Sequence, residues 1–350
     1  MIAATERRLV IPTIAIANPL DHAAEIKDLF VAHGMPSFPD YFDRTYPGAV
    51  RSGAVSWLGR DESGRVVMHQ ACFPRRFRSA EREVVACLMV NLMVATEYRA
   101  FFPALTLLRR AVQDLEARGG IDFLYADPNK AGEVLLQAGR FARIGTLQRY
   151  VLPVSDRRVV LDGCIRLFHT WLRATNGAGA GARMAAVAHA AQEFPLESVA
   201  APRLTPPTVA AYHDAALYTS RLAGYPSTLD WWLTLHASPP DGQAGPPAAA
   251  LLIRGPDASG KASIKAWRQA PGVDPAAPLP GLIAELRRRG CTRLEVSTIA
   301  ESAFGRALRR AGFIPRADTV PILAKALTPA GAACVAAVDA WEITDLECDR

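Results

Sequence analysis

The stretch EVVACLMVNLMVATEYRAFFPALTLLRRAV (residues 83–112) decides the fold, because a long apolar run is followed at once by a helix. Residues 83–96 are almost continuously apolar, which is typical of a central strand covered on both faces, although their length also permits a helix. From Pro103 onward, leucines and a valine form one stripe with arginines and acids opposite, until a Gly-Gly pair ends the pattern. This second segment predicts a separate helix, so we interpret residues 83–96 as a strand.

Upstream of this stretch the sequence predicts a β-hairpin. Residues 54–60 and 65–73 are strand-like, and they flank the polar, glycine-ended turn Asp-Glu-Ser-Gly. In the N-terminal residues 1–22, charge and proline interrupt the apolar run before it could act as a secretory leader. We interpret that segment as a first strand.

Downstream of residue 112, one order of elements occurs twice. Residues 121–127 predict a strand, 128–138 a helix and 141–153 a final strand or strands. The order helix, glycine, strand, helix and strand recurs in residues 284–327, AELRRRGCTRLEVSTIAESAFGRALRRAGFIPRADTVPILAKAL. The Ala-Gly-Phe of this segment corresponds to the Ala-Gly-Arg-Phe at the end of the first helix. An internal duplication explains this recurrence, with chance similarity between two amphipathic segments as the alternative.

Composition and charge narrow the class of protein. The 350 residues are 50% hydrophobic and 21% charged, which suits a globular chain with two domains. No stretch approaches the roughly 20 apolar residues that cross a bilayer, so no membrane partner is expected. Six scattered cysteines without zinc spacing predict neither disulfides nor a metal site and favour the cytoplasm. The net charge of +6 favours anionic ligands, but the basic residues are dispersed, so nucleic acid is an unlikely partner.

The middle of the chain separates the two halves. It is rich in alanine and contains the turn-prone stretches TNGAGAGAR and APRLTPP, which predict connecting helices and loops. We therefore expect an N-terminal module over residues 1–155, a connecting segment over 156–205 and a C-terminal module over 206–350.

Residues 90–112 and 123–141 resemble the signature of the GNAT acyltransferase superfamily. That signature is a splayed central strand, the pyrophosphate-binding turn R/Q-x-x-G-x-G/A, a helix, a strand, and N-x-x-A with a terminal G-F. The resemblance covers most of residues 45–152 and, more weakly, 246–327. It implies an α/β fold of two tandem GNAT-like modules, each with a mixed, mostly antiparallel central sheet flanked by helices.

The resemblance also implies a site for an acyl thioester in the first module. A helix N-terminus presents unpaired N–H groups and a positive dipole end, so the turn before Pro103 can hold a pyrophosphate, with Arg99 adding charge. A backbone N–H on the open strand can stabilise the negative charge that develops on the thioester oxygen. The residues expected to bind the acyl carrier are Asn91, Leu92, Met93, Arg99, Ala100, Phe101, Phe102, Ala104 and Asn129.

The sequence departs from the family pattern in both modules. Phe102 takes a glycine position of the turn, and Pro103 removes a backbone donor. Leu135 stands where many members have a tyrosine that protonates the departing thiolate, and Leu308 takes that place in the second half. The second half also has no arginine-glycine turn. We therefore expect the C-terminal module to shape the acceptor pocket instead of binding the acyl carrier.

The attacking amine must lose a proton, and three residues are candidate bases. His69 lies in a predicted strand, where a hydrogen-bonded core histidine is the alternative interpretation. Glu97 lies in the turn beside the predicted pyrophosphate site, where an exposed carboxylate is common. Asp127 ends a predicted strand and, with Asn129, is first of all a candidate helix cap.

Together these features predict an N-acyltransferase that moves an acyl group from acetyl-CoA, another acyl-CoA or an acyl carrier protein to a primary amine. The layout resembles bacterial tandem GNAT proteins associated with surface polysaccharide synthesis, which suggests an amino sugar as acceptor. One alternative is a Fem-like aminoacyl-tRNA-dependent transferase, which needs no pyrophosphate turn, although its coiled-coil insertion has no counterpart here. The other is a non-catalytic GNAT-like scaffold that binds a ligand or partner.

Overall fold

A computed structural model of the chain shows one mixed, mostly antiparallel sheet flanked by helices. The structure describes residues 12–79, 82–99, 101–154, 184–190, 193, 208–211, 230–237, 246–270, 273–274, 277–338 and 340–344. Within these ranges no helix is both long and apolar enough to cross a membrane.

The first half of the chain contributes six strands and four helices to the described structure. In order they are β1 (Thr13–Ala17), α1 (Ala23–Ala32), α2 (Phe38–Arg51), β2 (Val55–Arg60), β3 (Val66–Ser79), β4 (Arg82–Val94), α3 (Phe101–Arg118), β5 (Phe123–Ala126), α4 (Lys130–Ala138) and β6 (Ala142–Pro153). Short 3-10 turns precede α1 and follow β4, at Pro19–His22 and Thr96–Tyr98.

The second half contributes eight strands and three helices in its described residues. They are β7 (Met184–Ala190), β8 (Val209–Ala211), β9 (Asp230–Ala237), β10 (Pro247–Arg254), β11 (Lys261–Gln269), α5 (Leu279–Arg288), β12 (Arg293–Ile299), α6 (Ala303–Arg310), β13 (Ile314–Ala326), α7 (Pro329–Ala336) and β14 (Trp341–Glu342).

The structure confirms the predicted strands and hairpin and adds three helices. The apolar run forms β4, the hairpin is β2–β3, and the amphipathic segment forms α3. Helices α1, α2 and α7 are not predicted by the sequence pattern. In α2, Phe38, Phe42 and Tyr46 recur every fourth residue and are buried, but Pro47 and Gly48 obscure this helical stripe.

The two halves exchange strands at the middle of the sheet. Strand β13 lies between β5 and β6, and β6 in turn lies between β13 and β12. Ala324 of β13 pairs with Tyr125 of β5, whereas Leu152 of β6 pairs with Leu294 of β12. Each half of the sheet is therefore completed by a strand from the other half.

Two hydrophobic cores follow this exchange. The first core surrounds α1–α4 and contains Trp341, whose ring centroid lies 5.5 Å from that of Phe77 and 5.1 Å from that of Phe123. The second core surrounds α5 and α6 and contains Tyr150 and Leu152 from β6. The module boundaries at residues 155 and 205 stay a prediction, because 155–183 and 194–207 lie outside the described residues. Within the segment expected to hold connecting helices and loops, residues 184–190 instead form strand β7, which pairs with β9.

Helices α4 and α6 are the equivalent helices of the repeat seen in the sequence. Their C-termini show which residues of the two copies are equivalent, and this alignment differs by one residue from the one expected. Each helix is followed by a residue with left-handed φ, Arg140 at 64° and Gly312 at 87°. The next backbone N–H bonds back at 3.0 Å to Leu136 in one copy and to Leu308 in the other. Leu136, and not Leu135, therefore matches Leu308. The tyrosine position of both modules still holds leucine.

Candidate functional site

The sheet opens into a cleft between β4 and β5. These strands are parallel and pair only as far as Leu88 and Tyr125, whereas β4 runs on to Val94 and β5 ends at Ala126. At about 3.3 Å per residue, the part of β4 beyond Leu88 spans roughly 20 Å. Residues 90–93 are only half-buried although they belong to a central strand. The cleft is thus the place where a ligand can lie along β4.

A bulge in β4 borders this cleft. His69 of β3 opposes Met93, whereas Ala71 opposes Val90, so β4 carries one extra residue over this step. Asn91 lies within the bulge and has a left-handed φ of 56°, which asparagine tolerates better than most residues. The bulge changes the direction of the strand at its open edge.

Two tyrosines of α2 hold the side chain of Asn91. Its Nδ2 donates to the hydroxyl of Tyr46 at 3.0 Å and to that of Tyr41 at 3.3 Å. Sequence reasoning missed both tyrosines because it missed α2. Their signal was the fourfold spacing of the aromatic residues around them.

The bulge turns the backbone N–H of Leu92 toward the cleft. The carbonyl of Asn91 accepts from His69 of β3 at 2.8 Å, and the N–H of Leu92 lies on the opposite side of the same planar peptide. The N–H of Leu92 therefore points away from His69, and the carbonyl of Val94, which accepts from Arg99 Nε at 3.1 Å, also points away from β3. Of the three consecutive residues predicted to supply a donor, Leu92 is the one whose N–H faces the cleft.

Arg99 lies at the mouth of the cleft, where β4 turns toward α3. The bond to Val94 uses only Nε, which is one of the five N–H donors of the guanidinium group. The residue is exposed, so the charge faces solvent at the start of α3. This placement fits the predicted contact with a phosphate of the acyl carrier.

The first turn of α3 has a poorer set of donors than an ordinary phosphate-binding turn. Pro103 is buried and has no N–H, Ala104 is half-buried, and Phe102 is 69% exposed. Ala100 lies outside the described residues, and nothing is described of the Phe101 side chain. An anion at this end of α3 therefore depends more on Arg99 than on the helix terminus.

His69 is fully buried and both of its ring nitrogens are engaged. Nδ1 lies 2.8 Å from the backbone oxygen of Asn91, and Nε2 lies 3.0 Å from the hydroxyl of Ser56. A carbonyl oxygen only accepts, so Nδ1 carries the proton and Nε2 accepts from Ser56. Burial lowers the pKa of His69 to about 4. The structure therefore shows the core histidine that was the alternative to a base.

The other two candidate bases differ in placement. Glu97 is exposed and pairs with Arg65 at 2.6 Å. A hydrogen bond from its own backbone N–H, and the pairing with Arg65, lower the pKa of Glu97, which makes it a weaker base. Asp127 is half-buried and directly follows β5, on the opposite wall of the cleft. Asn129 caps α4, since its Oδ1 accepts from the N–H of Gly132 at 2.9 Å.

The second half contains a comparable opening that the C-terminal tail contacts. Strands β11 and β12 are parallel and pair only up to Ile264 and Val296, and β11 has a bulge at Lys265 where it leaves β12. The hydroxyl of Thr344 donates to the carbonyl of Lys265 at 2.8 Å. The tail thus occupies the bulge of the second module, whereas α2 and His69 hold the bulge of the first.

Metal-ligating side chains do not gather anywhere in the described ranges. No group of three or more His, Cys, Asp or Glu residues there is arranged to hold a metal ion. The candidate site consists of the β4 edge, Arg99 and Asp127.

Sequence comparisons find no relatives, but the fold matches solved structures. The chain matches no protein-family model and no curated protein. A GCN5-related N-acetyltransferase from Anabaena variabilis has a TM-score of 0.60 at 10% identity, over 91% of this chain and 74% of that one. A probable N-acyltransferase from Enterococcus faecalis has a TM-score of 0.60 at 10% identity, over 91% and 73%. A tandem GNAT protein from the clavulanic acid biosynthesis pathway has a TM-score of 0.51 at 14% identity, over 91% and 99%.

Proposed function

We propose that this chain, which has the tandem GNAT fold, is an N-acyltransferase that moves an acyl group from a thioester to a primary amine. The observation that carries the proposal is the N–H of Leu92, which faces the cleft where β4 has separated from β5. A hydrogen-bond donor fixed beside an open strand is what a thioester carbonyl needs when negative charge develops on its oxygen.

The reaction proposed for this cleft is direct attack. The amine nitrogen forms a bond to the thioester carbon, the N–H of Leu92 stabilises the resulting oxyanion, and the carbon–sulfur bond then breaks. The amine proton passes to a base and the thiolate gains a proton, so that an amide and a free thiol result. Asp127, directly or through a water molecule, is the base that lies at the cleft wall.

The donor in this proposal is acetyl-CoA or a longer acyl-CoA, with an acyl carrier protein as the alternative source of the same thioester. The fold supports an acyl-CoA co-substrate, and Arg99 at the start of α3 provides the positive charge for its pyrophosphate. We propose that the acyl site lies in the first module and that the second module shapes the acceptor pocket. The contact between Thr344 and the second bulge supports this division.

We propose that the acceptor is a small-molecule amine, and amino sugars are the first class to screen.

A degenerate, non-catalytic scaffold is the rival function. The altered first turn of α3 favours it, because Phe102 and Pro103 stand where the turn would otherwise supply donors. Binding of the thioester separates the two hypotheses at their first step.

The test is calorimetric titration of the full chain with acetyl-CoA and with longer acyl-CoAs. A hydrogen bond to a charged group contributes about 1.5–3 kcal/mol, so Arg99→Ala is expected to weaken binding by about 10- to 100-fold. The matched control is Arg118→Ala, at the other end of α3 and roughly 26 Å along the helix, which should leave the Kd unchanged.

Saturable binding that only Arg99→Ala weakens places the thioester at the first module, and acetyl transfer to amines can then be screened. Equal weakening by both variants would mean a general charge effect and contradict the site. If the wild-type protein binds no acyl-CoA at millimolar concentration, the CoA donor is wrong, and acyl carrier protein is then tested in the same way.

A further inference from the structure

We propose that His69 and Ser56 are positioning residues that hold the β4 bulge in the shape that presents the N–H of Leu92. The inference rests on the proposed function for its catalytic meaning, but the bulge itself can be measured without any turnover. It gives His69 a role other than that of a base.

Three hydrogen bonds that involve side chains meet at Asn91, whose φ is left-handed. His69 Nδ1 donates to the carbonyl oxygen of Asn91 at 2.8 Å, and Asn91 Nδ2 donates to Tyr46 and Tyr41. Of these three, the bond from His69 is the one that acts on the backbone. It therefore fixes the direction of the peptide plane that joins Asn91 to Leu92, and with it the direction of the Leu92 N–H.

Ser56 completes the hydrogen bonding of the ring. The carbonyl of Asn91 can only accept, so the neutral imidazole has its proton on Nδ1. The other nitrogen, Nε2, then accepts from the Ser56 hydroxyl at 3.0 Å. A hydroxyl on β2 thus holds a histidine on β3, which in turn orients β4.

Packing prevents the ring from turning toward the cleft. Phe30 of α1 contacts the imidazole edge-on, with ring centroids 5.5 Å apart and an angle of 75° between the planes. The ring of Tyr46 lies on another side, 6.2 Å away between centroids. His69 and Ser56 are both fully buried, so solvent does not compete for either hydrogen bond.

Conservative variants separate the role of each ring nitrogen. In His69→Asn the side-chain amide nitrogen can take the place of Nδ1 and keep the bond to Asn91. In His69→Gln the longer side chain places its amide near Nε2, toward Ser56. His69→Leu removes both bonds. The matched control is His189→Leu on β7, because His189 Nε2 bonds to the hydroxyl of Thr234 at 2.9 Å in the second module.

The first measurement is steady-state release of CoA thiol from acetyl-CoA by the full chain with glucosamine. Misplacing a catalytic donor by about 1 Å costs on the order of 10²-fold in rate. We expect kcat to fall about 10- to 100-fold in His69→Leu and His69→Gln, to recover to within about threefold in His69→Asn, and to stay unchanged in His189→Leu. The Kd for acetyl-CoA should change little in all of them. Ser56→Ala is a milder variant if His69→Leu does not fold.

The second measurement needs no activity. In ¹⁵N NMR spectra of the wild-type protein, the ring of His69 should be neutral with its proton on Nδ1 at pH 7. The ¹H–¹⁵N cross-peak of the Leu92 amide should move in His69→Leu and stay close to its wild-type position in His69→Asn. A proton on Nε2, or the same displacement of the cross-peak in the two variants, would overturn the proposal. If the wild-type protein shows no turnover with glucosamine, that acceptor is wrong, while the Leu92 cross-peak still decides the role of His69.

Discussion

Replacing Trp341 by alanine is expected to destabilise the first core, although Trp341 belongs to the last strand of the described chain. The side chain is fully buried and packs edge-to-face on Phe123, with centroids 5.1 Å apart and an interplanar angle of 88°. Its Nε1 has no hydrogen-bond partner among the described residues, so the substitution removes packing alone. Removing a buried aromatic side chain costs about 3–5 kcal/mol of unfolding free energy, and we expect a loss of about 4 kcal/mol.

The assay is urea unfolding followed by far-UV circular dichroism. Because the halves share β6 and β13, we expect a single transition that moves to lower urea as a whole. The control is Val338→Ala in the same tail, where the side chain is 54% exposed and the change should stay within about 0.5 kcal/mol. A loss below about 1 kcal/mol for Trp341→Ala would contradict its place in the first core. Two transitions of which only one moves would contradict the coupling of the two halves through β6 and β13.

Three further predictions concern stability, pH and thiol reactivity. A methyl group at Gly331 of α7 would collide with the backbone carbonyl oxygen of Asp122, so Gly331→Ala should lower the unfolding free energy by about 1–3 kcal/mol in the same urea assay. Hydrogen bonds from Arg60 lower the pKa of Glu25 from 4.5 to about 2. The stability that this pair contributes should therefore be complete above about pH 4.5 and disappear toward pH 2. In Glu25→Gln, the unfolding free energy should change less with pH over this range. Burial raises the pKa of the Cys291 thiol to about 11, so iodoacetamide at pH 8 should label Cys291 only after unfolding, as mass spectrometry of its peptide would show.

Local patterns were enough to locate much of the first module. The apolar run of β4, the stripe of α3 and the cap at Asn129 depend on neighbouring residues, so the sequence predicted them. Helix α2 was missed because Pro47 and Gly48 are poor helix formers, and its place is stabilised instead by packing. Phe38 stacks on Phe30 of α1 with centroids 3.6 Å apart, a contact that periodicity does not reveal.

The candidate site, too, was predicted only in part from the sequence. The sequence pointed to residues 91–93 as the donor strand, but only the register of β3 and β4 selects Leu92. It proposed His69 as a base, whereas its contacts with Ser56 and Asn91 make both ring nitrogens unavailable to an amine. Chemistry of this kind depends on which atoms meet across strands, and residue type alone does not fix it.

The amino-acid sequence by itself determined the α/β class, the repeated order of elements and the strand that borders the site, because each follows from the spacing of apolar residues and from helix caps and turns. The tertiary structure alone decided the exchange of β6 and β13 and the tautomer of His69. Strand β13 pairs with β5 although nearly 200 residues separate them in the chain, and such pairing is selected by the shape of the two cores it completes.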